Sequence, residues 1–273
     1  MMYKSFLASL PLSEFVRNYI IIHLPFRPYE PNLSKQRSPK PEQKIVFYLK
    51  GLPAFYNPIT GSSQTPPRVS ILSHQRDPKT IRLASEFFAF IIFLKPGVLH
   101  RLIRLPMTDF PDAAIDAELF FGTEVRLVSE QLASATNHIS MISIAEQFLL
   151  PKCTQLGTSN LIGMISLKIL NDPTTFSLDL VAREACLSTK QFYRRFTEQI
   201  GISPKLFSRM SRFNHAYRYK LSHADMSWSA IAQEFCYTDY HHMEKEFKEF
   251  TGLTPHVWTN THLSAPERIL KLR

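Results

Sequence analysis

The chain has 273 residues, 44% of them apolar, which allows one large domain or two ordinary ones with a sizeable core. Its three cysteines, Cys153, Cys186 and Cys236, are odd in number and far apart, which argues against a disulfide framework or a zinc finger. A formal charge of +9 suits an anionic partner such as nucleic acid. The longest apolar run, at 87–94, is far shorter than the ~20 residues of a membrane helix, so we expect a cytoplasmic protein without a membrane partner.

The first hundred residues have the pattern of a β-rich domain. Four short runs of β-branched and aromatic residues predict strands: YIIIHL (19–24), KIVFYL (44–49), RVSILS (68–73) and FFAFIIFL (87–94). Proline-rich stretches at 25–41 and 53–67 separate these runs. The pattern predicts a small barrel or sandwich.

Helical periodicity begins after about Pro106. The stretches 112–135 and 140–153 carry helical spacing, and Val125, Leu127, Val128 and Leu132 form one predicted apolar face. The polar stretch 152–160 is a predicted linker. We therefore expect an α+β protein, with a sensory or dimerisation domain at 1–155 and an all-α DNA-binding domain at 156–273.

A repeat organises the second domain. GISPKLF (201–207) and GLTPHVW (252–258) share the order Gly, apolar, Ser or Thr, Pro, then an aromatic. Glycine ends a helix in the left-handed conformation, and Ser-Pro or Thr-Pro starts the next helix as N-cap and first helical residue. Each heptapeptide follows a helix, a three-residue turn and a second helix, so the repeat predicts helix-turn-helix units at about 177–201 and 227–252. A plain helical bundle with a duplicated hairpin is the structural alternative.

The outward faces of the second helices carry the predicted DNA contacts. In the first unit Lys190, Tyr193 and Arg194 can reach base edges in a major groove, and in the second unit Tyr240, His241, Glu244 and Lys245 can do so. The predicted phosphate contacts are Arg183, Arg195, Lys205, Arg209, Arg212 and Lys248. One amphipathic helix of ~20 residues, about 30 Å long, joins the units and would set their spacing. The other charges of EKEFKEF (244–250) are expected to be solvated.

The chain resembles the AraC/XylS family of bacterial transcription regulators over about residues 159–260. The second unit carries the more specific motif, made of Ile231, Ala232, Asp239, His242, Phe247, Lys248, Gly252, Thr254, Pro255 and Trp258. The first unit matches at Ala182, Phe192, Phe196, Gly201, Ser203, Pro204, Phe207, Arg212 and Ala216. The resemblance implies the same base-contacting residues and an N-terminal domain that binds effectors or dimerises. Cys186 and Cys236 stand where the family has glycine, and a Cβ there costs about 1–2 kcal/mol if the residue is left-handed.

Other chemistries find little support in the sequence. The histidines of the N-terminal part form no paired metal motif, and no nucleophile elbow or phosphate loop is present, so we expect no metal, no cofactor, no catalytic residue and no enzyme activity. Double-stranded promoter DNA is the expected partner. Further possible partners are RNA polymerase, an unidentified small-molecule effector and a second copy of the chain. Two rivals remain: a module that docks a partner regulator through the acidic second unit, and an N-terminal effector-processing enzyme with a helical appendage. A cluster of ionisable groups in an N-terminal pocket would favour the enzyme.

Overall fold

The computed structural model describes residues 2–25, 34–57, 60–75, 77–83, 86–157 and 161–263. The strands are β1 (Met2–Phe6), β2 (Val16–Pro25), β3 (Ser34–Arg37), β4 (Gln43–Lys50), β5 (Ala54–Tyr56), β6 (Ser63–Gln64), β7 (Val69–Leu72), β8 (Lys79–Arg82), β9 (Glu86–Leu94) and β10 (Ala114–Asp116). The helices are α1 (Val98–Ile103), α2 (Glu118–Phe121), α3 (Glu124–Ser134), α4 (His138–Thr154), α5 (Leu161–Asn171), α6 (Leu178–Glu184), α7 (Thr189–Ile200), α8 (Pro204–Ser222), α9 (Trp228–Glu234), α10 (Tyr240–Thr251) and α11 (Pro255–Leu263). None of these helices is long and apolar enough to cross a membrane.

The described strands form two open antiparallel sheets and no closed barrel. The first sheet has the order β1-β2-β9-β4-β7-β10, and the second has the order β3-β8-β5-β6. Residues 43–49 of the central strand β4 are all buried. Alternate side chains of a strand point to opposite faces, and accordingly Ile45 and Phe47 join the main core whereas Val46 and Tyr48 join a smaller cluster. The four predicted strands are confirmed, and the architecture is closer to a sandwich than to a barrel.

Helices cover one face of the first sheet and complete the hydrophobic core on that side. The main apolar cluster runs from Leu12 to Cys153, and α3 and α4 pack together against it. Two expectations for this region were wrong. The stretch predicted as helix from residue 112 first forms β10, because Ala114–Asp116 pairs with β7, and Leu127 is 55% exposed because it lies on the solvent side of α3.

The predicted linker is also partly helical. Helix α4 continues through Thr154, and Cys153 is fully buried in the first core. Residues 158–160 of the expected linker lie outside the described ranges. The second apolar cluster begins at Ile162 and extends to Trp258, so the two cores are built from separate stretches of the chain.

The β-rich and helical regions contact each other at α7 and α8. The 3-10 turn Met107–Asp109 packs against α7, and the rings of His74 and Phe207 meet edge to face at 5.9 Å. Asn214 of α8 donates a hydrogen bond of 3.1 Å to the carbonyl of Pro39. The helical region is therefore anchored on the β-rich region rather than tethered by a linker alone.

Candidate nucleic-acid interface

The first helix-turn-helix unit is built from α6 and α7. Phe192, Phe196 and Ile200 are fully buried on one face of α7, as their i, i+4, i+8 spacing predicts. Helix α7 begins with a capping box in which the Ser188 hydroxyl accepts from the amide of Gln191 and the Gln191 side chain accepts from the amide of Ser188. The apolar face and the cap fix the rotation of this helix about its axis.

That rotation places the predicted base-contacting side chains in solvent. Lys190, Tyr193 and Arg194 are all exposed, Tyr193 to 47%. Thr197, one turn further along the same stripe, is half-buried and donates its hydroxyl to the carbonyl of Tyr193 at 2.8 Å. The free part of the stripe is therefore the N-terminal half of α7, which is the part of a recognition helix that contacts base edges.

The second unit repeats this arrangement with α9 and α10. Met243, Phe247 and Phe250 are buried, and Asp239 caps α10 by accepting from the amide of His242 at 2.7 Å. His241 and Lys245 are exposed, whereas Tyr240 and Glu244 are half-buried. Burial and the nearby Glu244 carboxylate raise the pKa of the Tyr240 hydroxyl, which therefore stays protonated and able to donate.

Both helix-turn-helix turns use cysteine in a left-handed conformation. Cys186 has φ of 53° and Cys236 has φ of 54°, and both side chains are exposed. Both residues therefore meet the condition under which the sequence predicts strain, because a residue with a Cβ rarely adopts this region.

The repeated heptapeptide ends one helix and begins the next, as predicted. Gly201 has φ of +96° and Gly252 has φ of +74°, and each directly follows the last residue of α7 or α10. Ser203 caps α8 by accepting from the amide of Leu206 at 3.2 Å, and Thr254 accepts from the amide of Val257 at 3.4 Å. Of the two serines that precede α9 and α6, Ser227 accepts a backbone hydrogen bond through its hydroxyl, whereas the Ser177 hydroxyl makes no capping bond.

Helix α8 joins the two units and forms a cluster of ion pairs with α10 that the sequence did not predict. This cluster, here called the ionic clamp, consists of Arg209, Arg212, Glu246 and Glu249. The helix has 19 residues, so it is about 28 Å long. The Glu246 carboxylate, 2% exposed, accepts from Arg209 Nε at 2.9 Å, from Arg212 Nη2 at 3.1 Å and from the Tyr237 hydroxyl at 2.8 Å. Arg209 also pairs with Glu249 through Nη1 at 3.0 Å.

This clamp corrects the expectation that the remaining charges of 244–250 are solvated. Arg209 and Arg212 are spaced i, i+3, and so are Glu246 and Glu249, so complementary spacing was the signal available in the sequence. The clamp holds the second unit against α8 and neutralises charge on both.

The predicted phosphate contacts fall into two groups. Arg183, Arg195 and Lys205 are exposed and have no carboxylate partner within the described ranges. Arg209 and Arg212 belong to the clamp, and Lys248 lies 3.5 Å from Glu244. Free positive charge is therefore concentrated on the first unit, while phosphate contact by any of these residues stays a prediction.

Comparison with known proteins supports the prediction of a helix-turn-helix domain in the helical part of the chain. Residues 181–261 match the model of a helix-turn-helix domain family. The chain is 29% identical over 143 residues to the HTH-type transcriptional activator RhaR of Escherichia coli strain K12 and, at the same level, to RhaR of Shigella flexneri. The alignment covers 52% of this chain but only 45% of RhaR, so it spans about half the length of these relatives.

A solved structure of ToxT from Vibrio cholerae superposes with a TM-score of 0.49 at 9% sequence identity, over 88% of this chain and 96% of that one. The duplicated helix-turn-helix units, the family model matched over residues 181–261 and the similarity to RhaR support the resemblance of the helical part of this chain to the AraC/XylS family of transcription regulators.

Proposed function

We propose that the chain regulates transcription by binding a specific sequence of double-stranded DNA through both helix-turn-helix units. The observation that carries this proposal is the exposed stripe of Lys190, Tyr193 and Arg194 opposite the buried phenylalanines of α7. A cation and a hydrogen-bonding aromatic in the N-terminal half of such a helix suit the acceptor-rich edge of guanine in a major groove. The β-rich domain contacts the opposite, C-terminal ends of α7 and α10, so it leaves this surface open.

The first unit supplies most of the affinity in this proposal. Its exposed cations are not paired within the described residues, whereas the three glutamates of α10 are engaged with α8 or with Lys248. Attraction to phosphate scales with the number of cations that can release counterions. The second unit then contributes mainly base recognition through Tyr240, His241 and Lys245.

The test begins with selection of genomic fragments bound by the purified full chain. Binding of an enriched fragment is then compared for Arg194→Ala, Lys245→Ala and the control Lys50→Ala, an exposed cation of the β-rich domain paired with Glu86. Loss of a base contact costs about 1–3 kcal/mol, so Arg194→Ala should weaken binding roughly 5- to 150-fold and Lys245→Ala less. Absence of any enriched motif would contradict the proposal as a whole, and a larger loss for Lys245→Ala would contradict the ranking of the units.

The β-rich domain is proposed to control this binding. Its direct packing on α7 and α8 gives a physical route for an effector or a second copy of the chain to act on the DNA-binding helices. RNA polymerase is a further proposed partner of the assembled complex. The rival in which the acidic second unit docks a protein loses support, because the buried clamp engages Glu246 and Glu249.

A further inference from the structure

A charged cavity lies between the two sheets of the β-rich domain. It has a volume of about 120 Å³ and is lined by residues of both sheets. Its ionisable lining residues are Arg37, Lys40, Glu42, Lys44, Lys79 and Asp112. Four cations thus face two carboxylates, and none of the described lining residues is a histidine or a cysteine.

The carboxylates do not balance these cations. Asp112 pairs with Lys79 at 2.6 Å, and Glu42 pairs with Arg17 at 3.1 Å and lies 3.8 Å from Lys44. Glu42 is therefore shared between an arginine outside the cavity lining and the lining lysine Lys44. The Glu42 carboxylate also attracts Lys40, and Arg37 adds a further positive charge.

Lys44 is the most buried of the four lining cations. The residue is 7% exposed, and burial together with Arg37 lowers its pKa well below the ordinary value despite the nearby Glu42 carboxylate. Burying a charge without a matched partner is costly, so a negative group in the cavity would restore the favourable protonated state. The cavity has room for several water molecules or for a small organic anion.

An ionisable cluster in an N-terminal pocket was the feature expected to favour an enzyme. The cluster is present, but its excess of cations favours recognition of an anion over acid–base chemistry, which needs a pair of groups with opposed roles.

The same strand segment that lines the cavity also contacts both recognition helices. Within 36–44, the cavity-lining residues are Arg37, Lys40, Glu42 and Lys44. The intervening Gln36 donates its side-chain amide to the carbonyl of Thr251 at 2.9 Å, and Gln43 donates to the carbonyl of Ile200 at 3.3 Å.

These two carbonyls belong to the last residues of α10 and α7. The last four carbonyls of a helix have no partner within the helix, so each glutamine supplies a bond that the helix end lacks. Gln43 is 2% exposed, which excludes water as an easy substitute for its amide. One short segment therefore holds the C-terminal ends of both recognition helices.

We propose that the cavity binds a small carboxylate or phosphate anion and that segment 36–44 transmits its occupancy to both recognition helices through Gln36 and Gln43. The second half of this statement rests on the proposed DNA-binding function, whereas the first half does not. Anion binding would draw Lys44 and its neighbours inward and so shift the two glutamines, which alternate with them along the same backbone.

The first experiment measures anion binding alone. Thermal unfolding of the full chain is followed with succinate in one arm and inorganic phosphate in the other, at ionic strength held constant with sodium chloride. A tenfold excess of a bound anion over its Kd should raise Tm by roughly 3–5 °C. Lys44→Met and Lys40→Met should abolish the rise, while the control Lys50→Met should keep it. No rise in either arm, or an equal rise in the Lys44→Met and Lys40→Met variants, would overturn the proposed site.

A second readout of the same variants needs no ligand. Lys44→Met should unfold at an equal or higher temperature than the wild type in chloride buffer, because it removes a surplus buried cation while Glu42 keeps Arg17. A marked drop would show that Lys44 is already satisfied and would contradict the charge excess.

The final experiment measures coupling on an enriched DNA fragment by fluorescence anisotropy. Saturating anion should change the DNA Kd of the wild type at least about 5-fold. The Gln36→Ala/Gln43→Ala variant should keep the Tm rise but lose this change, and the control Gln147→Ala, an exposed glutamine on α4, should keep both. A DNA Kd that does not change when the anion is added would refute the coupling. Failure of the wild type to bind any DNA would refute the proposed function but would not affect the conclusion drawn from the Tm measurements.

Discussion

Alanine substitution at the two heptapeptide glycines separates the local role of glycine from its role in the domain contact. Gly201 and Gly252 occupy equivalent positions in the two units and both have positive φ, at +96° and +74°. An alanine Cβ at 201 would lie 2.9 Å from the backbone oxygen of Met107, whereas a Cβ at 252 would have no heavy atom within 4 Å. Both variants should therefore lose stability because a Cβ is placed in the left-handed region, and only Gly201→Ala should lose more because its Cβ meets Met107.

The shared cost is that of a Cβ in the left-handed region, about 1–2 kcal/mol. Only Gly201→Ala adds overpacking, because Met107 is fully buried and its main chain cannot move aside without shifting the turn that carries it. Overpacking of a dense core costs typically about 1–3 kcal/mol. We expect a loss of about 1–2 kcal/mol for Gly252→Ala and of about 2–5 kcal/mol for Gly201→Ala.

The free energy of unfolding of both variants is measured by urea titration with circular dichroism, beside the wild type. Limited proteolysis after residue 155 supplies a second measure, since a weakened contact between the β-rich and helical regions should expose the connection in Gly201→Ala alone. An equal decrease in the free energy of unfolding for the two variants, or a larger decrease for Gly252→Ala, would refute the proposed effect of the Met107 contact.

Three further predictions concern single side chains. Cys186→Gly and Cys236→Gly should each stabilise the chain by about 0.5–1 kcal/mol, since relief of the left-handed Cβ outweighs the added backbone entropy; a lower urea midpoint for either would contradict this. Glu246→Ala should cost about 3–5 kcal/mol because it removes the buried carboxylate that Arg209, Arg212 and the Tyr237 hydroxyl share, whereas Glu244→Ala should cost less than about 1 kcal/mol, and similar losses would show that the clamp is not a buried network. Burial raises the pKa of the Cys153 thiol to about 11, so a thiol reagent at pH 8 should modify only the two turn cysteines of the native chain, and rapid modification of three would refute the burial.

The helix-turn-helix units could be predicted closely because their signals are local. Capping residues, left-handed glycines and apolar positions three and four apart act within one or two turns of helix. These signals placed Gly201 and Gly252 directly after the last residues of α7 and α10, and Ser203 and Thr254 at the starts of α8 and α11.

The features that the sequence did not reveal depend on contacts between distant residues. Ala114–Asp116 has no strong periodicity of its own and is a strand because it pairs with β7. The bond from Arg209 to Glu246 joins residues 37 apart, and the bond from Gln43 to Ile200 joins residues 157 apart. A pattern within one segment cannot indicate which surface that segment will meet.

The pairing of Arg209 and Arg212 with Glu246 changes how the basicity of this chain should be counted. Each protein cation that neutralises a DNA phosphate frees close to one condensed counterion, and the logarithm of the binding constant falls by about 0.9 per such contact for each tenfold rise in salt. Two guanidinium groups already engaged with a glutamate release few counterions of their own. The steepness with which the proposed DNA binding declines in salt should therefore report the unpaired cations near the groove, rather than the excess of +9 carried by the whole polypeptide.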